Sequence, residues 1–284
     1  YSTVNPYLED FDGGNGAIST FGQQSPIYRI GGGAGAAVNF AIDPGKKFVL
    51  AGGYLASNAS SPLAKEGLFN GDYAAFAQLT ITPTNWLQVG LTYVNAYHTS
   101  GNSIFSLGDD DNVFYTGTVA ANALHTGLSS VIPGVRVPAV TNSYGVQASF
   151  KLGSKVVVNA FGGFTDLRLI NTGDGEIWYY GVGLALPDLF KKGNLGGIVV
   201  GREPYLGGVD VRGPIPAALG IPGTARLRNL NIGNNASLHI EAFYKFQITN
   251  HISITPGIVW ITNPDQDNLN DDFVIGTIRT TFSF

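Results

Sequence analysis

Several residue groups have side-chain types that bind ligands, so their spacing is considered first. The run GGGAGAA at 31–37 contains the pattern G-x-G-x-x-A of dinucleotide-binding loops. That pattern holds a pyrophosphate only between a strand and the start of a helix. Here residues 38–42 continue the alternation of a strand, so the glycines fit sheet bending and close packing better. We predict no nucleotide cofactor.

Carboxylates form two clusters, and hard carboxylate oxygens bind divalent cations. The EF-hand spacing is absent, because position six of a loop starting at Asp265 is Asn270 and not glycine. Solvated loop charge is therefore the better interpretation. The clusters are Asp109, Asp110 and Asp111, and Asp265, Asp267, Asp271 and Asp272.

The four histidines give no sign of a metal or catalytic site. His98, His125, His239 and His251 are scattered, with no pair at helical i, i+4 spacing. No G-x-S-x-G nucleophile elbow occurs, and the absence of cysteine excludes thiolate chemistry. We expect neither catalysis nor a cofactor or metal.

Composition narrows the class of protein further. The 284 residues include 39 glycines, 13% charged and 44% hydrophobic residues, with a formal net charge of −4. Glycine is about twice and charge about half the usual share. The 16 basic and 20 acidic residues do not suit nucleic-acid binding. The sequence contains no run of about 18 apolar residues that could form a membrane-spanning helix.

Period-two alternation of apolar and polar residues is the dominant pattern. It sends successive side chains to opposite faces of a strand. Most such segments have about 10 to 13 residues, close to the roughly 9–11 that cross a bilayer at a tilt. The sequence predicts an all-β fold with about eleven strands, at 28–42, 47–56, 72–82, 87–98, 141–152, 155–166, 176–187, 194–203, 236–248, 252–262 and 272–284.

The connections between these segments alternate between short and long. Short turns and long loops on opposite sides are typical of a transmembrane antiparallel β-barrel in an outer membrane. A terminal strand that descends to the periplasm places the long loops outside. Trp and Tyr then collect toward the outer strand ends and further aromatics toward the inner ends, as expected of two interfacial belts.

Particular segments resemble a known family. Six segments look like the barrel region of cyanobacterial OprB-type porins, labelled iron-uptake or carbohydrate-selective: NPYLEDFDGGNGAIS, SPIYRIGGGAGAAV, EGLFNGDYAAFAQLTITP, LQVGLTYVNAYH, SLHIEAFYKFQITNHISITPGIVWITNP and DDFVIGTIRTTFSF. The resemblance covers nearly the whole chain. It implies a barrel of roughly 16 strands, with residues 1–284 forming its C-terminal part.

The resemblance also implies segments that this numbering lacks. In that family a signal peptide, a surface-layer-homology domain that binds a peptidoglycan-linked polymer, and earlier barrel strands precede the region. Strand parity then places Tyr1 to Ile27 in an extracellular loop. A twelfth strand at 203–212 would overturn that placement.

A barrel whose apolar face meets lipid has its polar side chains inside. The predicted pore-lining residues are Arg29, Gln78, Gln147, Lys151, His239, Glu241, Lys245, Gln247 and Arg279. A long loop folded inward would form the constriction. The candidates are the 204–235 loop, with Asp210, Arg212, Arg226 and Arg228, and the 99–140 loop, with Asp109 to Asp111 and Arg136.

The function expected from these features is passive diffusion of small hydrophilic solutes or ions across the outer membrane. The alternatives are an outer-membrane barrel enzyme of the lipid-hydrolase type and a soluble β-sandwich binding module. The expected partners are outer-membrane lipid, the solutes and further copies of the chain, but not nucleic acid. Small lipid-face residues suggest a trimer: Ala75, Ala77, Ala148, Ala160 and Gly162.

Overall fold

In the computed structural model, the described residues are 16–108, 115–127, 136–211, 227–228 and 235–283. Arg212, Arg226 and Asp109 to Asp111 lie outside them, and Arg228 is described only as backbone. Statements below concern the described residues.

Long antiparallel strands, each paired with its neighbours along the chain, build the molecule. A two-residue strand, β9, pairs with the far end of β8, so β8 is followed in the sheet by β10. The strands are β1 Ala34–Ala41, β2 Phe48–Ala56, β3 Tyr73–Thr84, β4 Leu87–His98, β5 Ala139–Lys151, β6 Val157–Leu169, β7 Gly173–Pro187, β8 Leu195–Val211, β9 Leu227–Arg228, β10 His239–Gln247, β11 Ile252–Ile261 and β12 Phe273–Phe282. The all-β antiparallel prediction is confirmed.

Period two follows directly from the two environments of the sheet. In β7, Ile177 and Tyr179 are buried, whereas Trp178, Tyr180 and Val182 on the other face are 44–53% exposed. Residues that pair in neighbouring strands share a face of the sheet. For example, Gln78 of β3 lies opposite Thr92 of β4, and both side chains are buried. We call the face that carries Gln78 and Tyr179 the inner face and the opposite one the outward face.

Two segments pack against the inner face. The first, here called the inner segment, is residues 16–31 and contains helix α1, Thr20–Gln23, and a 3₁₀ turn, Pro26–Arg29. The second is the described part of the β4–β5 loop, residues 99–108, 115–127 and 136–138, which contains helix α2, Val119–Ala123. The apolar core lies between these segments and the wall and includes Ile27, Phe105, Leu124, Leu167, Ile177 and Leu206.

This arrangement corrects two expectations about the start of the chain. The predicted strand at 28–42 begins only at Ala34, because Pro26 starts a 3₁₀ turn that ends at Arg29. Arg29 therefore does not lie on a strand. The described part of the predicted extracellular loop, 16–27, lies against the inner face and not outside the sheet.

The hairpins of β6, β7 and β8 extend further than predicted. Only residues 170–172 separate β6 from β7, where a medium loop was expected. Residues 203–211 continue β8 and form no separate strand, so Asp210 lies on a strand and not in a loop. The physical reason is that Leu167, Leu169, Val209 and Val211 bury their side chains on the inner face beyond the predicted strand ends.

No helix among the described residues is long and apolar enough to cross a membrane.

Glycines at the inner face admit bulky neighbours. The ring of Tyr179, which is 1% exposed, crosses Gly163, where an added Cβ would lie 2.0 Å from the Tyr179 hydroxyl oxygen. A Cβ at Gly276 on β12 would meet nothing within 4 Å. The two positions therefore form a matched pair for substitution.

We expect Gly163→Val to lower the free energy of unfolding by about 1–3 kcal/mol, because the buried tyrosine has no space to move. Gly276→Val should cause no loss, since valine suits a strand. Urea unfolding of the refolded protein in detergent, followed by gel mobility, measures both. Equal effects of the two substitutions would contradict this packing account.

Candidate functional site: the inner segment and its anchors

One end of the inner segment is fixed by amide and hydroxyl groups of β3 and β5. The Tyr28 hydroxyl donates to Gln78 Oε1 at 2.8 Å and accepts a hydrogen bond from Gln147 Nε2. Gln78 Nε2 donates in turn to Thr80 Oγ1 at 2.9 Å. Because these side chains are buried, the bonds satisfy polar groups that would otherwise be costly to bury.

The other end is fixed by a carboxylate on β10. Glu241 is fully buried and accepts from the backbone amides of Ile18 and Ser19 and from the Ser19 hydroxyl. His239, on the same strand face, places Nε2 3.2 Å from Ser19 Oγ and Nδ1 2.7 Å from Glu203 Oε1 of β8. Two strands and the helix start of α1 thus share one polar network.

A third anchor comes from β12. Arg279 donates from Nη1 to the Ala17 carbonyl oxygen at 2.8 Å and from Nη2 to the Gly16 carbonyl oxygen at 2.7 Å. The inner segment is therefore bonded to β10 and β12 near residue 18 and to β3 and β5 near residue 28. A connection between strands so far apart in the sheet requires that the segment cross the space enclosed by the inner face.

Ser19, His239 and Glu203 are arranged in the order of a hydrolase triad, but the bonding differs from that of a triad. The Ser19 hydroxyl donates to Glu241, so His239 is not its proton acceptor. Ser19 Oγ also accepts from Gly22 N at 2.9 Å as the N-cap of α1. The group therefore has a structural role, which removes the support for the hydrolase alternative.

The β4–β5 loop closes against β8 next to this network. Gly117 N donates to Glu203 Oε2 at 3.1 Å, and Thr118 N donates to the Pro204 carbonyl oxygen at 2.9 Å. Glu203 thus binds both His239 and this loop. Of the two predicted constriction loops, the described part of 99–140 lies on the inner face.

Two histidines meet within this loop region. The His98 and His125 ring centroids are 6.0 Å apart, and His125 is fully buried. Burial lowers the pKa of His125 to about 4, and the nearby backbone of Asn102 and Thr99 offsets only part of that effect. His125 is therefore neutral at physiological pH and packs as an aromatic side chain.

The aspartates of the last loop hold backbone groups. Asp265 Oδ1 accepts from Val119 N at 2.6 Å, at the start of α2. Burial raises the pKa of Asp265, although this backbone bond opposes the rise. Asp267 accepts from Leu269 N and Asp272 from Asn263 N. Within the described ranges, no group of three or more His, Asp or Glu side chains is arranged to hold a metal ion.

The predicted lining residues fall into two groups. Gln78, Gln147, His239 and Glu241 are 0–3% exposed, so they anchor the inner segment and do not contact solvent. The expectation that each of them meets pore water is corrected, because the inner segment covers them. Lys151, Lys245 and Gln247 lie near the short turns and are more exposed.

Arg29 is buried and donates from Nε to the Phe105 carbonyl oxygen at 3.2 Å, which joins the inner segment to the β4–β5 loop. Asp210 lies opposite Asp174 in the β7–β8 register.

The sequence analysis missed three residues of the polar network: Ser19, Tyr28 and Glu203. The signal for Ser19 was a serine preceding a short turn. Tyr28 and Glu203 lie within the predicted strands 28–42 and 194–203, and no local pattern indicated their long-range hydrogen bonds.

The outward face has a lipid-facing pattern. Apolar residues occupy its middle, including Leu91, Val146, Val182, Ile198 and Val200. Aromatic residues border it, with Tyr93, Tyr144, Trp178 and Tyr180 toward the long-loop side and Phe48, Trp86, Phe150, Phe246 and Phe282 toward the short turns. Such borders are typical of the two bilayer interfaces.

An antiparallel sheet of long strands with this outward face and a segment crossing its inner side defines a β-barrel protein of the outer membrane. The chain belongs to the carbohydrate-selective porin, OprB family, whose model matches residues 3–284. The family is one of non-enzymatic channels of the outer membrane.

Two relatives are themselves uncharacterized. A Nostoc sp. protein is 40% identical over 292 residues, which cover 100% of this chain and 45% of that protein. A Synechocystis sp. protein is 32% identical over 291 residues, which cover 95% of this chain and 46% of that protein. The chain thus spans about half the length of these curated relatives.

Among solved structures, that of Pseudomonas putida OprB at high pH is similar. It has 17% sequence identity and a TM-score of 0.49, and the match covers 87% of this chain and 58% of that one.

We expect Glu241→Gln to loosen the inner segment, because an amide cannot accept all three of its hydrogen bonds as a carboxylate does. Bonds to charged groups contribute about 1.5–3 kcal/mol, so amide exchange at Ile18 and Ser19 should accelerate on the order of 10- to 100-fold. Glu176→Gln, the same substitution at an exposed outward position, is the control. Unchanged exchange in Glu241→Gln would show that the carboxylate is not the anchor.

Proposed function

We propose that the full-length protein forms a water-filled pore for passive diffusion of small hydrophilic solutes, and that the inner segment sets the pore width. The observation that carries this proposal is the attachment of residues 16–31 to β10 and β12 at one end and to β3 and β5 at the other. A segment in that position divides the enclosed space, and solutes pass along its free side.

Neutral polar groups occur on the free side of this segment. Thr20 is exposed, and Gln23 and Gln24 are half-exposed. Hydroxyls and amides form hydrogen bonds with sugar hydroxyls without requiring a charge on the solute. We therefore propose small sugars as the main solutes, in keeping with the family description, and ions as secondary ones.

The charges near the short turns would tune ion preference. Lys245 lies on the inner face of β10, four positions along the strand from Glu241, and is half-exposed. A cation at that position attracts anions. Lys155, in the turn between β5 and β6, is exposed outside the strands and provides a matched control.

Planar bilayers containing the full-length protein should show step conductance, and liposomes containing it should swell in monosaccharide solutions. Lys245→Glu should shift the reversal potential in a salt gradient toward cations, whereas Lys155→Glu should shift it less. Absence of both conductance and swelling would refute the pore. Conductance with equal shifts for the two variants would instead remove Lys245 from the pore.

We also propose that the protein associates as a trimer through small outward residues. Ala148 and Ala160 lie opposite each other in the β5–β6 register, on the lipid-facing side. Small side chains let two sheets approach closely.

Cross-linking after extraction in mild detergent should yield a trimer, and Ala160→Phe should reduce its yield. Ala242→Phe, on the outward face of β10 and three strands away from β6, is the size-matched control and should leave the yield unchanged. A monomer alone in the unsubstituted protein would exclude trimeric association.

A further inference from the structure

The β2–β3 loop, residues 57–72, carries large apolar side chains that the pore does not use. Phe69 is 80% exposed, Leu63 is 65% exposed and Leu68 is 40% exposed. Single exposed apolar residues are ordinary on protein surfaces. What distinguishes these is their position relative to the lipid-facing side of the wall.

The loop is folded onto the outward face and does not extend freely into solvent. The Tyr54 hydroxyl of β2 donates to the Leu68 carbonyl oxygen at 2.7 Å. The Phe69 ring lies 5.8 Å from that of Tyr54, which stacks on Tyr73 at 5.6 Å. Tyr73 stacks in turn on Tyr97 at 6.3 Å. Phe69 thus extends a continuous series of outward-facing aromatic rings.

That series lies at the level where the outward face changes from apolar to polar. Along β4, outward residues run from Leu91 through Tyr93 to Asn95. The Tyr73 hydroxyl donates to Asn95 Oδ1 at 3.2 Å, and the Tyr93 hydroxyl donates to Asn142 Oδ1 at 2.7 Å. Tyrosines with the ring toward apolar residues and the hydroxyl toward amides are typical of the boundary between acyl chains and headgroups.

The loop itself has two sides. Lys65 and Glu66 line a cleft of about 330 Å³ together with Asp72, Asn102 and Arg136. Leu68 and Phe69 are absent from that polar lining and instead adjoin Tyr54. The loop therefore turns Lys65 and Glu66 toward a polar cleft and Leu68 and Phe69 toward the aromatic series.

We propose that the β2–β3 loop docks on the outer leaflet of the membrane, with Phe69, Leu68 and Leu63 inserted at the boundary between acyl chains and headgroups. The occupant of this apolar surface is lipid, because the surface is continuous with the lipid-facing wall through Tyr54, Tyr73 and Tyr97. The inference rests on the membrane location of the sheet and is independent of which solute the pore carries.

The lack of cysteine in these 284 residues permits single spin labels. Phe69→Cys, Leu63→Cys and Lys65→Cys are introduced into the full-length protein, with any cysteine elsewhere replaced by serine, and each is labelled with a nitroxide. Ile258→Cys, at a position that is 50% exposed on the outward face of β11 and far from Ala148 and Ala160, is the lipid reference. Power saturation in proteoliposomes compares relaxation by molecular oxygen, which concentrates in lipid, with relaxation by a water-soluble nickel chelate.

Labels at Phe69 and Leu63 should follow the Ile258 reference, with several-fold greater relaxation by oxygen than by nickel, and Lys65 should show the reverse. Strong nickel relaxation at Phe69, equal to that at Lys65, would overturn the proposal. Weak relaxation by both agents with spin–spin broadening would also overturn it and identify a second copy as the occupant. An Ile258 label that reports water would instead refute the membrane placement of the sheet.

Discussion

The burial of one carboxylate determines much of the inner architecture. A carboxylate in a protein interior costs several kcal/mol unless hydrogen-bond donors replace its water. Glu241 obtains those donors from the backbone and side chain of the inner segment, and His239 lies between it and Glu203. Because Glu203 also binds the β4–β5 loop through Gly117, both covering segments depend on one buried polar group. The wall and the two covering segments are thus coupled.

The inner face is apolar where the β4–β5 loop covers it and polar where the inner segment is anchored. Toward the long loops, Leu167, Leu169 and Ile177 pack against Leu124 and its neighbours. Strands β6, β7 and β8 have 13, 15 and 17 residues, more than are needed to cross a bilayer. This packing explains their length, because burial of apolar side chains stabilises strand residues outside the bilayer. A small apolar core therefore lies between the wall and the β4–β5 loop. The buried, neutral side chain of His125 lies in the same loop.

The strands were largely predictable because lipid imposes alternation on every residue that faces it. The bounds of β4 agree with the predicted 87–98, and the eleven predicted segments all contain strands. The strand prediction fails where a different local structure has the same alternation of apolar and polar residues. Tyr28 and Ile30 alternate with Arg29 as in a strand, but Pro26 at the first helical position favours a 3₁₀ turn. The contacts of Ser19 with Glu241 involve residues 222 positions apart, and no local pattern encodes them.

The glycine-rich, charge-poor composition is explained by the difference between the inner and outward faces of the sheet. Gly163 and Gly145 lie on one row of the inner face, where Tyr179 and Ile27 occupy the space that side chains would fill. At these two positions the strands carry no side chain, and Tyr179 of β7 and Ile27 of the inner segment pack over them. Other inner-face polar groups, such as Gln78, Thr80, Ser143 and Thr165, are bonded to the inner segment or to one another. If the protein forms the proposed pore, its solute preference depends on the inner segment and its anchors more than on the net charge of the chain.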